Sequence, residues 1–513
     1  MTSGSIWIMV TIAVYLIFMV AIGFYFTKKN NDAGDFYLGG RQLGPFVTAM
    51  SAEASDMSSY LLMGIPGLAY LSGIADATWT AIGLAIGTYL NWLIVAKRLR
   101  RYTVVANDSI TLPEFFKNRF HDKGNALVLI SALVIIIFFI PYTASGFAAC
   151  GKLFSSLFDV DYVTAMIISA AVIVIYTALG GFLAASTTDF IQSIIMTAAL
   201  AAVLIFGVVT AGGVSNVVNN VQSLSGYLSF DHVYDVATNS AGDYNFLTIL
   251  STLSWGLGYF GMPHILLRFM AIKDDNKLKL SRRIATVWVV ISMGVAVLIG
   301  IAAKALSMNG VLDTFTDSGS AETAIVKIAG LMSENGVLLA ITAGIILAGI
   351  LAATMSTADS QLLAASSSVS ENIFKDVLKL KISQKATMII ARATVVVVAI
   401  IAAFLATDPN SSVFKIVSFA WAGFGAAFAP VVLFALFWKR FNKWGALAGM
   451  ISGGAMVFIW EYILTPMGGI FGIYELMPAF IVACIFIVVV SLLTPAPSKE
   501  VVDDFEAVRA MSK

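Results

Sequence analysis

Glu53 and Asp56 stand three residues apart in SAEASDMSSYLLMGIPG, Ser51 to Gly67, whose other residues are small, hydroxylated or apolar. The stretch has the composition of a membrane span, and a carboxylate at a bilayer centre costs roughly 2.5 kcal/mol or more. An acid placed there is therefore a candidate for binding or relaying charge. Asp56, next to Ser58, Ser59, Gly64, Pro66 and Gly67, is the stronger candidate, because a helix interrupted at such residues opens its backbone groups. Glu53 also fits a cap or a pairing partner near one end of the span. A second constellation lies in GIILAGILAATMSTADSQLLAASSS, which places Gly349, Ala353, Ser356, Thr357 and Ser360 on one helix face at spacings of three and four. A hard cation such as sodium needs about five or six oxygens, which hydroxyls here and unwound carbonyls near Asp56 would supply. The same stripe also fits close helix packing, with each hydroxyl bonded back to its own helix. Asp359 lies beside it and reads as facing a polar seam.

The elements that position these residues are membrane helices. Of 513 residues 59% are hydrophobic and 12% charged, against roughly 25% charged in a globular domain, and mean hydropathy is +0.89. The net charge of +1 gives no reason to expect nucleic acid as a partner. The start of the chain lacks the basic region and cleavage site of a removable signal, so the first helix is expected to stay. Cys150 and Cys484 lie far apart in apolar runs and read as small core hydrophobes.

Hydropathy places thirteen spans near 6–26, 45–70, 75–96, 126–151, 161–181, 188–212, 245–267, 284–306, 337–370, 386–406, 413–437, 444–464 and 475–495. With the N-terminus outside, the loops assigned to the cytoplasm, 268–283 among them, hold 26 of the 31 lysines and arginines. Lys152 and Lys327 remain in outer loops, so the positive-inside bias supports that orientation and a cytoplasmic C-terminus. The long polar connections 213–244 and 307–336 read as external caps or mobile lids. In the basic loop after the third span, ITLPEFF predicts a short surface helix starting near Pro113, its charges serving topology and lipid headgroups.

Two spans are interrupted. The second carries the opening stretch, and the seventh carries SWGLGYFGMPH, with Gly256, Gly258, Gly261 and Pro263. Each begins a block of five spans, so the chain predicts an all-α membrane protein with a five-plus-five inverted repeat. The divisions are 1–44 (first helix and inner loop), 45–212 (first repeat), 213–244 (external loop), 245–437 (second repeat), 438–495 (two more helices) and 496–513 (cytoplasmic tail). Tyr142, Trp255 and Tyr259 fit the wall of a substrate pocket, although interface anchoring and packing also account for membrane aromatics. Asp189, after Thr187 and Thr188, fits a cap of the sixth span.

FYLGGRQLGP, SAEASDMSSYLLMGIPG, YTALGGFLAASTTDFIQ, WGLGYFGMPHILLRFMAIK and LAATMSTADSQLL occur in that order. Together they resemble the sodium/solute symporter family and, within it, the branch that carries proline, over almost the whole chain. The resemblance implies a LeuT-type core formed by the second to eleventh spans. It implies sodium at the carbonyls of Ala54, Met57 and Ala353 and the hydroxyls of Ser356 and Thr357. It assigns Asp56 to sodium coupling, Ser58 to proline and sodium affinity, and Tyr142, Trp255, Tyr259 and Pro263 to the proline pocket. Arg41 and Asp189 match residues that affect sodium-dependent transport. Ser59 and Tyr60 depart from the glycine and tryptophan usual in that branch.

The resemblance implies a secondary active transporter in a cell membrane, in contact with lipid, that takes up L-proline with sodium as coupling ion and no organic cofactor. No GxxxxGK[ST] sequence is present to couple ATP. Other readings are a sodium symporter for another small solute (an amino acid, pantothenate or a sugar), a proton-coupled carrier, and a transporter-like sensor. The short tail after the last span does not suit the sensor.

Overall fold

The apolar runs of the chain fold as helices, as a solvent that offers no hydrogen bonds to the backbone requires. A computed structural model describes residues 3–27 and 33–511. Lys28, Lys29 and Lys513, counted above among the one-sided charges, lie outside the described residues. The order begins α1 (Ser3–Thr27), α2 (Ala33–Leu38), α3 (Pro45–Asp56), α4 (Ile65–Ser72), α5 (Ile74–Leu90), α6 (Ala96–Val105), α7 (Leu112–Arg119), α8 (Ala126–Phe158) and α9 (Tyr162–Thr210). It continues with α10 (Val214–Gln222), the strands β1 (His232–Asp235) and β2 (Ser240–Asp243), α11 (Phe246–Leu253), α12 (Pro263–Ala271), α13 (Leu278–Met308), α14 (Ser318–Ala321) and α15 (Ala324–Ser333). The last helices are α16 (Val337–Ser367), α17 (Gln384–Leu405), α18 (Val413–Ala427), α19 (Ala429–Phe437), α20 (Lys443–Ile459), α21 (Leu476–Leu493) and α22 (Lys499–Met511).

Among the described residues ten helical stretches are long and apolar enough to cross a membrane. The second, fifth and seventh windows of the hydropathy reading fall on the shorter apolar helices Tyr60–Ser72, Tyr162–Ala178 and Phe246–Phe260. Each is short for a local reason. The second is interrupted after Asp56, where Met57 leaves helical geometry with φ −77° and ψ 73°. The seventh runs as a 3-10 turn from Ser254 to Phe260 and restarts at Pro263. The fifth ends ahead of Gly181, whose φ of +65° breaks α9 in two.

Helix α16 is the axis of the bundle: nearly every residue from Ala340 to Ser367 is buried, with α1, α8 and α9 packed around it. Both interrupted helices pack into the same core. The glycines of the 254–260 turn let α5 approach: a Cβ on Gly256 would lie 2.2 Å from the Gly83 carbonyl oxygen, and one on Gly87 would lie 2.2 Å from that of Gly256.

The connections are more ordered than their composition suggests. Segment 213–244 holds α10 and an antiparallel hairpin in which His232 faces Asp243 and Tyr234 faces Ala241. Its Tyr227 hydroxyl donates to the carbonyls of Ala69 (2.7 Å) and Tyr70 (3.2 Å). In 307–336, Glu322 is buried, pairs with Lys152 Nζ at 2.8 Å and accepts from the Val413 and Phe414 amides at the start of α18. Helix α7 does begin near Pro113, with the Thr111 hydroxyl accepting from the Glu114 amide. It is not a surface helix, however, because Leu112, Pro113, Phe115 and Phe116 are buried. Arg119 is buried too, donating to the Ala435 carbonyl at 3.0 Å rather than facing lipid headgroups.

Candidate functional site

The interruption after α3 creates the first cluster. The Met57 amide still donates to the Glu53 carbonyl at 2.8 Å; beyond it the Ser58 amide turns back to the Asp56 carbonyl, also at 2.8 Å. Carbonyls that would have closed the next helical turn are thus handed to other partners. The Ser356 hydroxyl donates to the Ala54 carbonyl at 2.7 Å and lies 3.1 Å from the Ala353 carbonyl, which the Thr357 hydroxyl also meets at 3.1 Å. Ala54, Ala353, Ser356 and Thr357 therefore form one group of oxygens spanning α3 and α16. The hydroxyls bond within their own helix, as the packing reading expects, and Ser356 also reaches across, which packing alone does not call for. Met57, the remaining predicted ion ligand, has its sulfur 3.5 Å from the Ser292 hydroxyl of α13.

Asp56 is fully buried beside this group. Its Oδ2 accepts from the Tyr259 hydroxyl at 2.5 Å, and its carbonyl accepts from the Tyr142 hydroxyl at 3.2 Å. Asp56 Oδ1, the Ser59 hydroxyl and the Tyr60 hydroxyl are buried and have no hydrogen-bond partner among the described residues. Buried polar groups are nearly always paired, so three orphans within five residues of one interruption indicate a polar ligand or water. Ser58, 2% exposed, turns its hydroxyl toward the Tyr60 amide at 3.4 Å. Trp255 walls the cluster, stacked on Tyr474 with 5.0 Å between ring centroids and close to Phe414, Trp421 and Tyr60. Trp421 donates its indole N–H to the Trp255 carbonyl at 2.8 Å and meets Tyr259 edge-on at 5.1 Å. Pro263 opens α12 behind Met262, where its missing N–H forfeits no helix bond. Glu53 sits apart, one oxygen accepting from the Trp92 indole at 2.9 Å.

Asp189 belongs to a different cluster and does not cap a helix. Gly181 starts the second half of α9, so Asp189 lies two turns inside it, fully buried. Its Oδ2 accepts from the Ser51 hydroxyl at 2.6 Å and from Arg268 Nη2 at 3.0 Å. Arg268, 1% exposed, also donates to Ser51 Oγ (3.0 Å), the His264 carbonyl (2.9 Å) and Ser360 Oγ (2.6 Å), with its guanidinium 5.0 Å over the Phe182 ring. This knot ties α3, α9, α12 and α16. The sequence reading placed Arg268 in the loop 268–283 among the topology charges; the structure puts it in the core. The available signal was its place in an apolar run four residues after His264, on the same helix face.

Arg41 ends a 3-10 turn over Gly39–Arg41 and makes contact near the C-terminal end of α12 rather than in either cluster. It donates to the Met270 carbonyl at 2.6 Å and the Ser109 carbonyl at 2.9 Å and pairs with Asp108 at 2.9 Å. Its φ of +56° is a left-handed conformation that its neighbours hold in place.

The family model for the sodium:solute symporter family matches residues 36–453. The chain is 42% identical over 495 residues to the osmoregulated proline transporter OpuE of Bacillus subtilis (strain 168), covering 96% of each chain. It is also 42% identical over 513 residues to the sodium/proline symporter of Staphylococcus aureus, covering 98% of this chain and 95% of that one. Among solved structures it superposes on a Na+-coupled sialic acid symporter in a substrate-bound outward-open state, with a TM-score of 0.75, 19% identity, and coverage of 96% and 99%. A nucleobase-cation-symport-1 family transporter in a closed conformation gives a TM-score of 0.52 at 14% identity, with coverage of 92% and 98%.

Proposed function

The chain belongs to the sodium:solute symporter family, as a multi-pass membrane protein, and from that membership we propose that it takes up L-proline with sodium by alternating access. The observation that carries the reading is Asp56: a buried carboxylate with one unpaired oxygen at the helix interruption, followed within four residues by the orphaned hydroxyls of Ser59 and Tyr60 and preceded by Ala54, whose carbonyl Ser356 meets. Counting the three short apolar helices as crossings gives thirteen spans, with a five-plus-five core starting at each interrupted helix and the N-terminus outside. In this reading sodium is cargo held by the carbonyls of Ala54, Met57 and Ala353 and the hydroxyls of Ser356 and Thr357. These are the neutral oxygens a weakly held hard cation suits.

Proline lies against Trp255, Tyr142 and Tyr259 beside Pro263 and Ser58, its carboxylate and amine meeting unwound backbone groups and the orphaned hydroxyls. Asp56 supplies the fixed negative charge that couples the two cargoes, so that loss of sodium on the low-sodium side weakens the hold on proline. The ion thereby supplies the differential affinity that moves the conformational equilibrium. No covalent step is required of any residue.

Competition tests the substrate. In proteoliposomes with an inward sodium gradient, uptake of labelled proline is expected to fall with excess unlabelled proline and to be indifferent to pantothenate, sugars and other amino acids. Inhibition by one of those solutes with no uptake of proline would assign the pocket to another cargo.

A further inference from the structure

An apolar groove of about 500 Å³ runs down the outside of the bundle between α13 and the second half of α9; of the residues discussed for transport only Ser292, which meets the Met57 sulfur, is in its lining. Its walls are Leu200 and Ala201 on α9 and Val287, Ile291 and Val295 on α13, and Met50 of α3 lies at its floor. The groove is built rather than incidental. The Trp288 indole bridges its walls by donating to Thr197 Oγ1 at 2.8 Å, both residues lying in the lining.

Charge marks one end. Arg283 lines the groove mouth, is exposed and makes no ion pair among the described residues. Around it the segment 273–283 carries Lys273, Lys277, Lys279 and Arg282 against only Asp274 and Asp275, and Asp275 is already paired with Arg101 at 2.5 Å. From Arg283 to Val295 the helix rises about 18 Å, close to one leaflet of a ~30 Å hydrocarbon core. An apolar slot one leaflet deep with an unpaired guanidinium at its mouth matches a phospholipid: acyl chain in the slot, phosphate on the cation.

We infer that this groove is a binding site for one anionic phospholipid of the leaflet at the basic end, its acyl chain against Leu200, Ala201 and Ile291 and its headgroup phosphate held by Arg283. A second apolar groove, lined by Val208, Val217, Val297, Leu298 and Ile301, has no basic residue in its lining and serves as the internal control.

Native mass spectrometry of the purified full-length protein, stripped of lipid and titrated with phosphatidylglycerol or phosphatidylcholine, tests the inference. The unmodified chain is expected to retain one phosphatidylglycerol in preference to phosphatidylcholine. Arg283→Gln should weaken that retention about fivefold, the effect of one surface cation. Ala201→Trp, a substitution on an exposed wall that fills the slot, should abolish it, while Leu298→Trp in the other groove leaves it unchanged. Equal retention of the two lipids, or retention that survives Ala201→Trp, would overturn the assignment. So would loss caused equally by Leu298→Trp. Because the readout is lipid mass, it is independent of which solute the protein carries.

Discussion

Two buried acids in one core, Asp56 and Asp189, have opposite surroundings. Asp189 faces the Arg268 guanidinium at 3.0 Å and a serine hydroxyl, and Arg268 in turn uses Nε, Nη1 and Nη2 on protein acceptors. Asp56 has only a phenol hydroxyl on one oxygen, with no lysine or arginine paired to it among the described residues. A buried ion pair largely supplies its own compensation, whereas an acid without a cation remains costly until one arrives. Burial of charge therefore does not by itself identify the transport site. Glu53 also lacks a paired cation among the described residues and keeps one unpartnered oxygen, so what sets Asp56 apart is its place at the interruption of the second span, with Tyr142 and Tyr259 on it; on that ground it is the acid proposed for coupling.

The largest effect is expected at Arg268. Arg268→Met leaves Asp189 buried and uncompensated, with an expected loss of about 3–5 kcal/mol of stability, read as a fall in melting temperature in detergent. The double variant Arg268→Met, Asp189→Asn should recover much of that loss; if it melts as low as the single variant, the knot does not hold the core. Asp56→Asn should do the reverse. It keeps the shape and an acceptor for Tyr259, so melting is unchanged or slightly raised. The sodium concentration for half-maximal uptake should rise about a hundredfold, the scale of one charge-assisted contact. Unchanged sodium dependence would remove Asp56 from coupling. Glu53→Gln should be the mildest: the Trp92 bond survives, and uptake is expected to stay within about threefold of the unmodified protein. A loss as large as that of Asp56→Asn would mean that Glu53, too, lacks a needed cation.

What the sequence made legible follows the same division. Interruptions are local, so glycine and proline betrayed both broken helices, and the 3.6-residue period put Ser356 and Thr357 on one face before any partner was visible. Partners distant in sequence were not legible. Arg268 closed a hydropathy window and was taken for a loop charge, because nothing near it in sequence announces Asp189 or Ser360. Lys152 was assigned to an outer loop and the segment 307–336, which holds Glu322, to an external cap or lid, yet the two side chains are buried against each other across 170 positions. Trp421 and Tyr474 complete the wall around Trp255 but were indistinguishable from other membrane aromatics, since packing and binding use the same side chains. Asp189 was misread as a cap because Thr-Thr-Asp is helix-start chemistry, whereas the break lies eight residues earlier at Gly181.

The oxygens gathered between α3 and α16 are proposed to hold the coupling ion beside Asp56. The most direct test is uptake of radiolabelled proline into proteoliposomes, with and without an inward sodium gradient, by the unmodified protein and by a Ser356→Ala, Thr357→Ala double variant. Gradient-driven uptake is expected in the first and its loss in the second, with the variant still folded by its melting temperature. Proline uptake indifferent to sodium, or a sodium-driven signal that survives loss of both hydroxyls, would contradict it.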